Sequence, residues 1–264
     1  MNLFQIQLYS ECLNLELPVW VTLPEREKAE KEGFKTLWLY HGGGGCHTDW
    51  LTSTHVQALA EEHGWALVMP TTMDSCFVDM NQGEAFGLFV GKELPERLRE
   101  LLPCLSRERR HNAVSGFSNG GYGALLAGLR FPEMYGWIAA FAAGDKADAD
   151  FSYRPLEKLR FFGEGDLHKS PYSTKCLAAE LVKTKRPLPK VFHAYGEFDA
   201  WREMNEKVRD DFCSYEGNPY AYCNLVVEGK VHEWSMCEIA IQKFMEYYDR
   251  ESQSFCEKCT EKSG

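Results

Sequence analysis

The sequence contains no run of lysine and arginine, and acidic side chains outnumber basic ones. Of its 264 residues, 29 are Lys or Arg and 39 are Asp or Glu, which gives a formal net charge of -10 at pH 7. The densest basic stretch is RERR at residues 107–110. Because proteins bind phosphate-rich partners largely through clustered positive charge, the composition argues against a nucleic acid or an anionic membrane as partner.

The amino-terminal stretch MNLFQIQLYSECLNLELP also lacks a basic beginning and a long unbroken apolar run. A secretory signal peptide requires both features, and a membrane-spanning helix requires about 20 apolar residues. We therefore expect neither a signal peptide nor a membrane anchor. The default expectation is a cytoplasmic protein.

Paired metal-ligand motifs are scarce as well. Ten cysteines are present, but most stand singly within apolar segments, as buried thiols do in a reducing compartment. The one close pair is Cys256 and Cys259, and a lone C-x-x-C without a second ligand pair is weak evidence for zinc. We expect residues 250–264 to form a short, polar, frayed tail, and we expect no metal or organic cofactor.

The sequence does contain an alternation of strand-like and helix-like segments. Short apolar stretches such as LFQIQLY, TLWLY and NAVSGF are typical of strands, and they alternate with amphipathic stretches such as THVQALAEEHG. A last helix is predicted from about Glu233, with apolar residues at helical spacing on one face. This order predicts an α/β fold in which helices cover both faces of a mostly parallel sheet.

The chain is expected to form one domain over residues 1–264. No internal repeat or low-complexity linker divides it, and its length fits a single large domain. The segment 145–188 is rich in turn residues and charge. We predict that it forms a small insertion above the carboxyl ends of the strands, where ligands bind in open α/β sheets.

A serine surrounded by glycines follows the predicted strand NAVSGF. Gly116, Ser118 and Gly120 fit the pattern G-x-S-x-G, in which a sharp strand-to-helix turn holds a nucleophilic hydroxyl out of the sheet. Glycines permit this turn because they carry no Cβ that would meet neighbouring elements. A glycine-rich turn with an incidental serine is the alternative, and the motif alone does not decide between the two.

A nucleophilic serine requires a base and a carboxylate that orients the base. In this architecture the acid and then the histidine follow the serine along the chain. His232 is the best candidate for the base, because it lies on a short loop between the strand NLVV and the last helix. His193, in the apolar segment VFHAYG, is predicted to be a core residue, and His168 belongs to the insertion.

Three carboxylates compete for the role of the acid. Asp199 follows the strand KVFHAYG after a short turn and is preferred. Glu197 lies two residues earlier, and Asp145 follows the preceding strand, WIAAFAAG, at the same edge of the sheet. The sequence eliminates neither alternative.

Acyl transfer also requires two backbone N–H donors for the oxyanion. Asn119, directly after the serine, supplies the first. The second is expected in the loop HGGGGCH at residues 41–47, where Gly43 is preferred and Gly44 is the alternative. Because this loop lacks the G-K-[ST] of a phosphate-binding loop, an oxyanion site is the better interpretation.

With these residues in place, the sequence resembles the putative-esterase, or esterase D, family of α/β hydrolases, and in particular its bacterial tributyrin-esterase-like and feruloyl- or acetylxylan-esterase-like members. LYHGGGGCHTDWL, GFSNGGYGALLAGLRFPEMYGWIAAFAAG, YGEFDAW and EGKVHEW carry the resemblance. It implies Ser118 as nucleophile, Asp199 as acid, His232 as base, and the amides of Gly43 and Asn119 as the oxyanion hole. One departure is Asn119 itself, at a position where many relatives carry methionine.

The resulting expectation is a serine carboxylesterase whose partner is a small-molecule ester. Short-chain acyl esters, including acetylated or feruloylated carbohydrate, are the preferred substrates, and an acyl-enzyme is the expected intermediate. An S-formylglutathione hydrolase, an acyltransferase of the same fold and an inactive binding module remain alternatives, and a homo-oligomer remains open. The aromatic residues of the insertion either stack on the substrate or pack the insertion onto the body; they are Phe151, Tyr153, Phe161 and Phe162.

Overall fold

A computed structural model describes the backbone of residues 1–261 and the side chains of residues 1–252. Its framework is one sheet of eight strands. In chain order they are β1 (Asn2–Ser10), β2 (Leu15–Leu23), β3 (Lys35–Tyr40), β4 (Trp65–Pro70), β5 (Asn112–Phe117), β6 (Trp137–Phe141), β7 (Lys190–Gly196) and β8 (Cys223–Val227).

The strand order in space is β1-β2-β4-β3-β5-β6-β7-β8. β1 and β2 form an antiparallel hairpin, and β2 is antiparallel to β4. All pairings from β4 to β8 are parallel. Every residue of β3, β4 and β5 is buried, as expected for parallel strands that are covered on both faces. The predicted mostly parallel α/β sheet is confirmed.

Helices lie on both faces of the sheet. They are α1 (Asp49–Ser53), α2 (Val56–His63), α3 (Phe86–Leu88), which continues through a π-helical turn (Phe89–Glu93) into α4 (Leu94–Leu101), α5 (Asn119–Arg130), α6 (Pro155–Phe162), α7 (Thr174–Thr184), α8 (Arg202–Cys213) and α9 (Trp234–Glu261). Short 3₁₀ turns add Arg26–Lys28, Arg109–His111, Lys146–Asp148 and Leu167–Lys169.

Two apolar layers separate the sheet from these helices. One layer includes buried side chains of α4, α5, α7 and α8, such as Leu98 and Leu125. The other includes side chains of α1, α2 and α9, such as Trp50 and Phe244. Burial of apolar area on both sides is the main stabilising contribution to such a three-layer domain.

The segment 145–188 divides into two parts. α7 packs beside α5 and α8, and its Ala178 and Leu181 join the apolar core, so it is an ordinary crossover helix between β6 and β7. The preceding residues, which include α6, form a smaller layer of their own. There Phe161 and Phe162 are buried against Leu167 and side chains of α5, so these two aromatic residues pack the insertion onto the body.

The last helix is longer than the sequence indicated. We expected a frayed tail from residue 250, whereas α9 extends to Glu261, because no glycine or proline interrupts its sequence before that residue. The side chains of Cys256 and Cys259 lie outside the described residues. Within residues 1–261, no helix is both long enough and apolar enough to cross a membrane.

Candidate active site

Ser118 lies at the turn between β5 and α5, at the carboxyl edge of the sheet. Its backbone has φ 56° and ψ -117°, a conformation that a residue with a side chain rarely adopts. The Ser118 N–H donates a 2.8 Å hydrogen bond to the carbonyl of Phe141 at the end of β6. The neighbouring strand therefore holds the strained turn in place, and the turn has the form predicted from G-x-S-x-G.

The glycines of this motif are required by close backbone contacts. A Cβ on Gly116 would lie 2.3 Å from the carbonyl oxygen of Gly120. A Cβ on Gly120 would lie 2.4 Å from the carbonyl oxygen of His41. Both distances are far below van der Waals contact, so any side chain at either position would displace the turn or the loop that follows β3.

A chain of two hydrogen bonds joins the serine to a histidine and an aspartate. The Ser118 hydroxyl donates to His232 Nε2 at 2.9 Å, and His232 Nδ1–H donates to Asp199 Oδ2 at 2.9 Å. The Asp199 side chain is fully buried, and that of His232 is 16% exposed. In this tautomer Nε2 is free to accept the serine proton, which is the arrangement that nucleophilic catalysis requires.

Other groups fix the orientation of the acid and of the imidazole. The backbone N–H of Trp201 donates to Asp199 Oδ1 at 2.8 Å. The indole of Trp201 lies edge-on to the imidazole, with 4.4 Å between ring centroids, and the ring of Phe117 lies 4.7 Å from it. The His232 ring is therefore in contact with two aromatic side chains, which restrict its movement.

The two alternative acids have other contacts. Glu197 Oε2 accepts a 3.0 Å hydrogen bond from the backbone N–H of Gly229, in the loop between β8 and α9. Asp145 is buried and accepts hydrogen bonds from Ser173 Oγ and from the N–H and hydroxyl of Thr174, at the start of α7. Burial raises the pKa of Asp145, and these hydrogen bonds oppose the shift. The structure therefore brings Asp199 to the histidine and leaves Glu197 and Asp145 as structural residues.

His193 is a core histidine, as the sequence predicted. Its ring is fully buried and is hydrogen-bonded to the hydroxyl of Tyr222 at 2.9 Å and to Asn205 Oδ1 at 3.1 Å. Burial lowers the pKa of His193 to about 4, so the ring is neutral around pH 7. His168 is exposed on the insertion.

The glycine-rich loop after β3 lines the same cavity as Ser118. The N–H of Gly45 donates to the carbonyl of Gly42 at 3.2 Å, and Gly44 has φ 72°, so the loop is a tight turn with a glycine where φ is positive. Gly43 lines the cavity at Ser118 together with Asn119. Within the described part of the chain, neither backbone N–H of these two residues has an acceptor, so both are available to an oxyanion.

His41, which the sequence did not single out, holds this loop in place. It is buried, its Nδ1–H donates to the carbonyl of Gly42 at 2.7 Å, and its Nε2 accepts from the N–H of Thr72 at 3.1 Å. Burial lowers the pKa of His41, which favours the neutral ring that this pair of bonds requires. His41 precedes Ser118 in the chain, so the order of serine, acid and histidine does not point to it.

A cavity of about 710 Å³ opens above Ser118 and His232, a size typical of small-molecule sites. Its wall combines aromatic side chains, charged side chains of both signs, small residues and a methionine. They include Phe117, Trp201, Trp234, Phe151 and Tyr153; Asp49, Asp150, Glu157, Glu233, Lys146 and Arg154; and Ala142, Gly144 and Met204. No group of His, Cys, Asp and Glu side chains among the described residues has a metal-binding arrangement.

Comparison with known proteins agrees with this architecture. The sequence profile of the family described as "Putative esterase" matches residues 10–147. An acetyl esterase from Caldicellulosiruptor saccharolyticus is 28% identical over 242 residues, which cover 84% of this chain and 90% of that protein.

Solved structures share the fold at lower identity. The fluorophosphonate-binding serine hydrolase FphF of Staphylococcus aureus has a TM-score of 0.83 at 20% identity, over 94% of this chain and 98% of that one. An S-formylglutathione hydrolase from the same organism has a TM-score of 0.79 at 20% identity, over 94% and 99% of the two chains. The family profile spans the glycine-rich loop and the serine turn, and this chain therefore belongs to the "Putative esterase" family of α/β hydrolases and is a carboxylic-ester hydrolase.

Proposed function

We propose that Ser118 is the nucleophile of a serine esterase, with His232 as its general base and Asp199 as the acid that orients the base. The observation that carries the proposal is the continuous hydrogen-bonded chain from Ser118 Oγ through the imidazole to a buried carboxylate. The strained backbone at Ser118 supports it, because such strain is retained at sites where a side chain must be presented in one orientation.

The geometry supports a two-step reaction. Ser118 Oγ attacks the ester carbonyl carbon while its proton passes to His232 Nε2, and the carbonyl oxygen becomes an oxyanion held by the N–H groups of Gly43 and Asn119. The bond to the leaving alcohol then breaks, and the imidazolium gives its proton to that alcohol. In the second step the imidazole takes a proton from water, and the water oxygen attacks the acyl carbon. The bond to Ser118 Oγ then breaks, the imidazolium gives its proton to Ser118, and the carboxylic acid is released.

The substrates that we propose are short-chain acyl esters of polar alcohols, with acetylated and feruloylated carbohydrates among them. Charged side chains of both signs line the cavity and provide hydrogen-bonding groups for hydroxyls, and exposed aromatic rings such as Tyr153 and Trp201 offer stacking faces. At Gly144, which lines the cavity, a Cβ would lie 2.5 Å from the Cβ of Met204, so the packing there leaves no room for a side chain. The acetyl esterase named among the relatives supports a small acyl group.

A hydrolysis screen with an inactive control tests the proposal. We expect turnover of p-nitrophenyl acetate, p-nitrophenyl butyrate, acetylated xylose and methyl ferulate to differ in rate, with acetyl esters hydrolysed efficiently. Ser118→Ala should lower kcat by about 10³-fold or more and should abolish labelling by a fluorophosphonate probe. Retained turnover in the folded variant would refute the serine mechanism.

The same screen separates the alternative activities. Much faster turnover of S-formylglutathione than of every oxygen ester would identify a thioesterase instead of the proposed ester hydrolase. Transfer of the acyl group to added sugar in preference to water would identify an acyltransferase. No turnover of any substrate, together with no labelling of Ser118, would indicate a binding module.

A further inference from the structure

The side-chain amide of Asn119 lies beside the two backbone donors of the proposed oxyanion hole. A Cβ placed on Gly43 would lie 2.8 Å from Asn119 Nδ2. Because a Cβ is roughly 2.5 Å from the nitrogen of its own residue, Asn119 Nδ2 lies within about 5.5 Å of the Gly43 backbone nitrogen. Asn119 also carries the second donor on its own backbone, so its side-chain amide lies near both backbone donors and lines the same cavity.

This amide has no partner within the protein. Among the residues whose side chains the structure describes, none is hydrogen-bonded to the Asn119 side chain, and the amide is not among the polar atoms that are buried without a partner. Asn119 lines the cavity above Ser118. Its two side-chain N–H donors are therefore open to whatever occupies the cavity at the reacting carbonyl.

We propose that Asn119 Nδ2 is a third hydrogen-bond donor to the oxyanion, in addition to the N–H groups of Gly43 and Asn119. This inference rests on the proposed function. A carboxamide is neutral and cannot lose its donor at working pH, so it stabilises negative charge as that charge forms on the substrate oxygen. Asn119, at a position where many relatives carry methionine, thus adds a polar group to the cavity wall beside Ser118.

The contact with Gly43 favours a donor rather than an acceptor. The amide nitrogen, rather than the amide oxygen, is the Asn119 atom nearest to the Cβ position of Gly43. Any side chain at residue 43 would occupy the space of the Asn119 amide, which explains why a glycine is needed there even though its φ is not in the left-handed region. The absence of a side chain at residue 43 therefore leaves room for the Asn119 amide.

Asn119→Leu tests the inference, because it removes the amide at similar volume and keeps the backbone N–H. We expect kcat for p-nitrophenyl acetate to fall about 10- to 100-fold, less than the 10²- to 10³-fold typical of losing a principal donor, since two backbone donors remain. KM should stay within about threefold. The affinity for a trifluoromethyl ketone, which forms an oxyanion on Ser118, should fall by the same factor as kcat.

Two further variants and a stability measurement serve as controls. Asn119→Met should reproduce the losses of Asn119→Leu, and Gln242→Leu, which removes an exposed amide from α9, should leave both quantities unchanged. Thermal unfolding shows whether each variant is folded. Unchanged kcat and unchanged inhibitor affinity in a folded Asn119 variant would overturn the inference, as would a loss confined to KM or to one class of leaving alcohol.

The activity of Ser118→Ala distinguishes failure of the third-donor inference from failure of the proposed serine-esterase function. If Ser118→Ala is inactive and the Asn119 variants are fully active, only the third donor is refuted. If Ser118→Ala is active, the proposed function itself fails.

Discussion

The backbone N–H of Phe198 donates a 2.8 Å hydrogen bond to the carbonyl of Lys230. This bond joins the loop that carries Asp199 to the loop that carries His232. The two loops are in close contact, since a Cβ on Gly196 would lie 2.4 Å from the same Lys230 oxygen. Asp199 and His232, which are 33 residues apart in the chain, therefore keep a fixed separation through backbone contacts.

Asp199→Asn is expected to lower kcat by about 10⁴-fold with little change in KM, because the imidazole loses the partner that fixes its tautomer. Steady-state kinetics on p-nitrophenyl acetate measure both constants. Glu197→Gln should retain most of the activity, since this carboxylate binds Gly229 and not His232. A larger loss in Glu197→Gln than in Asp199→Asn would contradict our assignment of the acid.

Asp145→Asn is expected to reduce stability rather than catalysis. Asp145 accepts hydrogen bonds from Ser173 and Thr174 at the start of α7, and an amide replaces only part of that accepting capacity. We expect the free energy of unfolding to fall by about 1–3 kcal/mol while kcat stays within about threefold of the wild type. Urea denaturation and kinetics on the same preparation check both parts.

Gly120→Ala is expected to impair both folding and activity, because its Cβ would be 2.4 Å from the His41 carbonyl oxygen and 2.5 Å from that of Tyr40. Overpacking against backbone typically costs about 1–3 kcal/mol, and any relief would shift the serine turn. Gly217→Ala is the control for activity: its φ of 73° makes alanine strained, so stability should fall, but nothing lies within 4 Å of its Cβ and kcat should be unchanged. Equal kcat in the two variants would argue against the tight contact at Gly120.

The buried His193 should make the protein less stable in acid. Burial lowers its pKa to about 4, whereas an unfolded chain holds histidine near 6.5. The folded state therefore favours the neutral ring. The contribution of His193 to the free energy of unfolding is complete above about pH 6.5 and is lost as the pH falls from about 6.5 toward 4. A difference of about 2.5 in pKa corresponds to about 3 kcal/mol in the free energy of unfolding.

His193→Gln isolates this effect, because glutamine has a donor and an acceptor but does not titrate. Between pH 7.5 and pH 5.0, we expect the wild type to lose about 2 kcal/mol more than the variant in urea-denaturation experiments. Groups other than His193 titrate in both proteins and cancel in the comparison. Parallel curves for the two proteins would show that His193 is not held neutral by the fold.

Incubation with EDTA is expected to leave esterase activity unchanged, because in the proposed mechanism the hydrogen-bonded chain from Ser118 to Asp199 supplies both the nucleophile and the proton transfer. Rates before and after dialysis against the chelator make the comparison. A Cys256→Ser and Cys259→Ser double variant serves as the control for the one paired thiol motif. Loss of activity that added zinc restores would contradict a metal-free reaction.

The sequence by itself determined the order of strands and helices and indicated the candidate site residues. The spacing of apolar residues and the positions of turn residues indicated the alternation of strands and helices. The G-x-S-x-G motif indicated Ser118, because its glycines reflect contacts between adjacent segments. The chain order of acid and base selected His232 among the later histidines. Those features are local or follow a fixed order, so a linear sequence records them.

Only the tertiary structure shows which of three carboxylates is hydrogen-bonded to His232. Asp145, Glu197 and Asp199 all follow strands that end at the same edge, and the difference between them is which group each one contacts across the sheet. The supporting roles of His41 and Trp201 likewise depend on contacts with other elements. Side-chain directions at a sheet edge are set by packing between segments distant in the chain, and spacing along the sequence does not encode them.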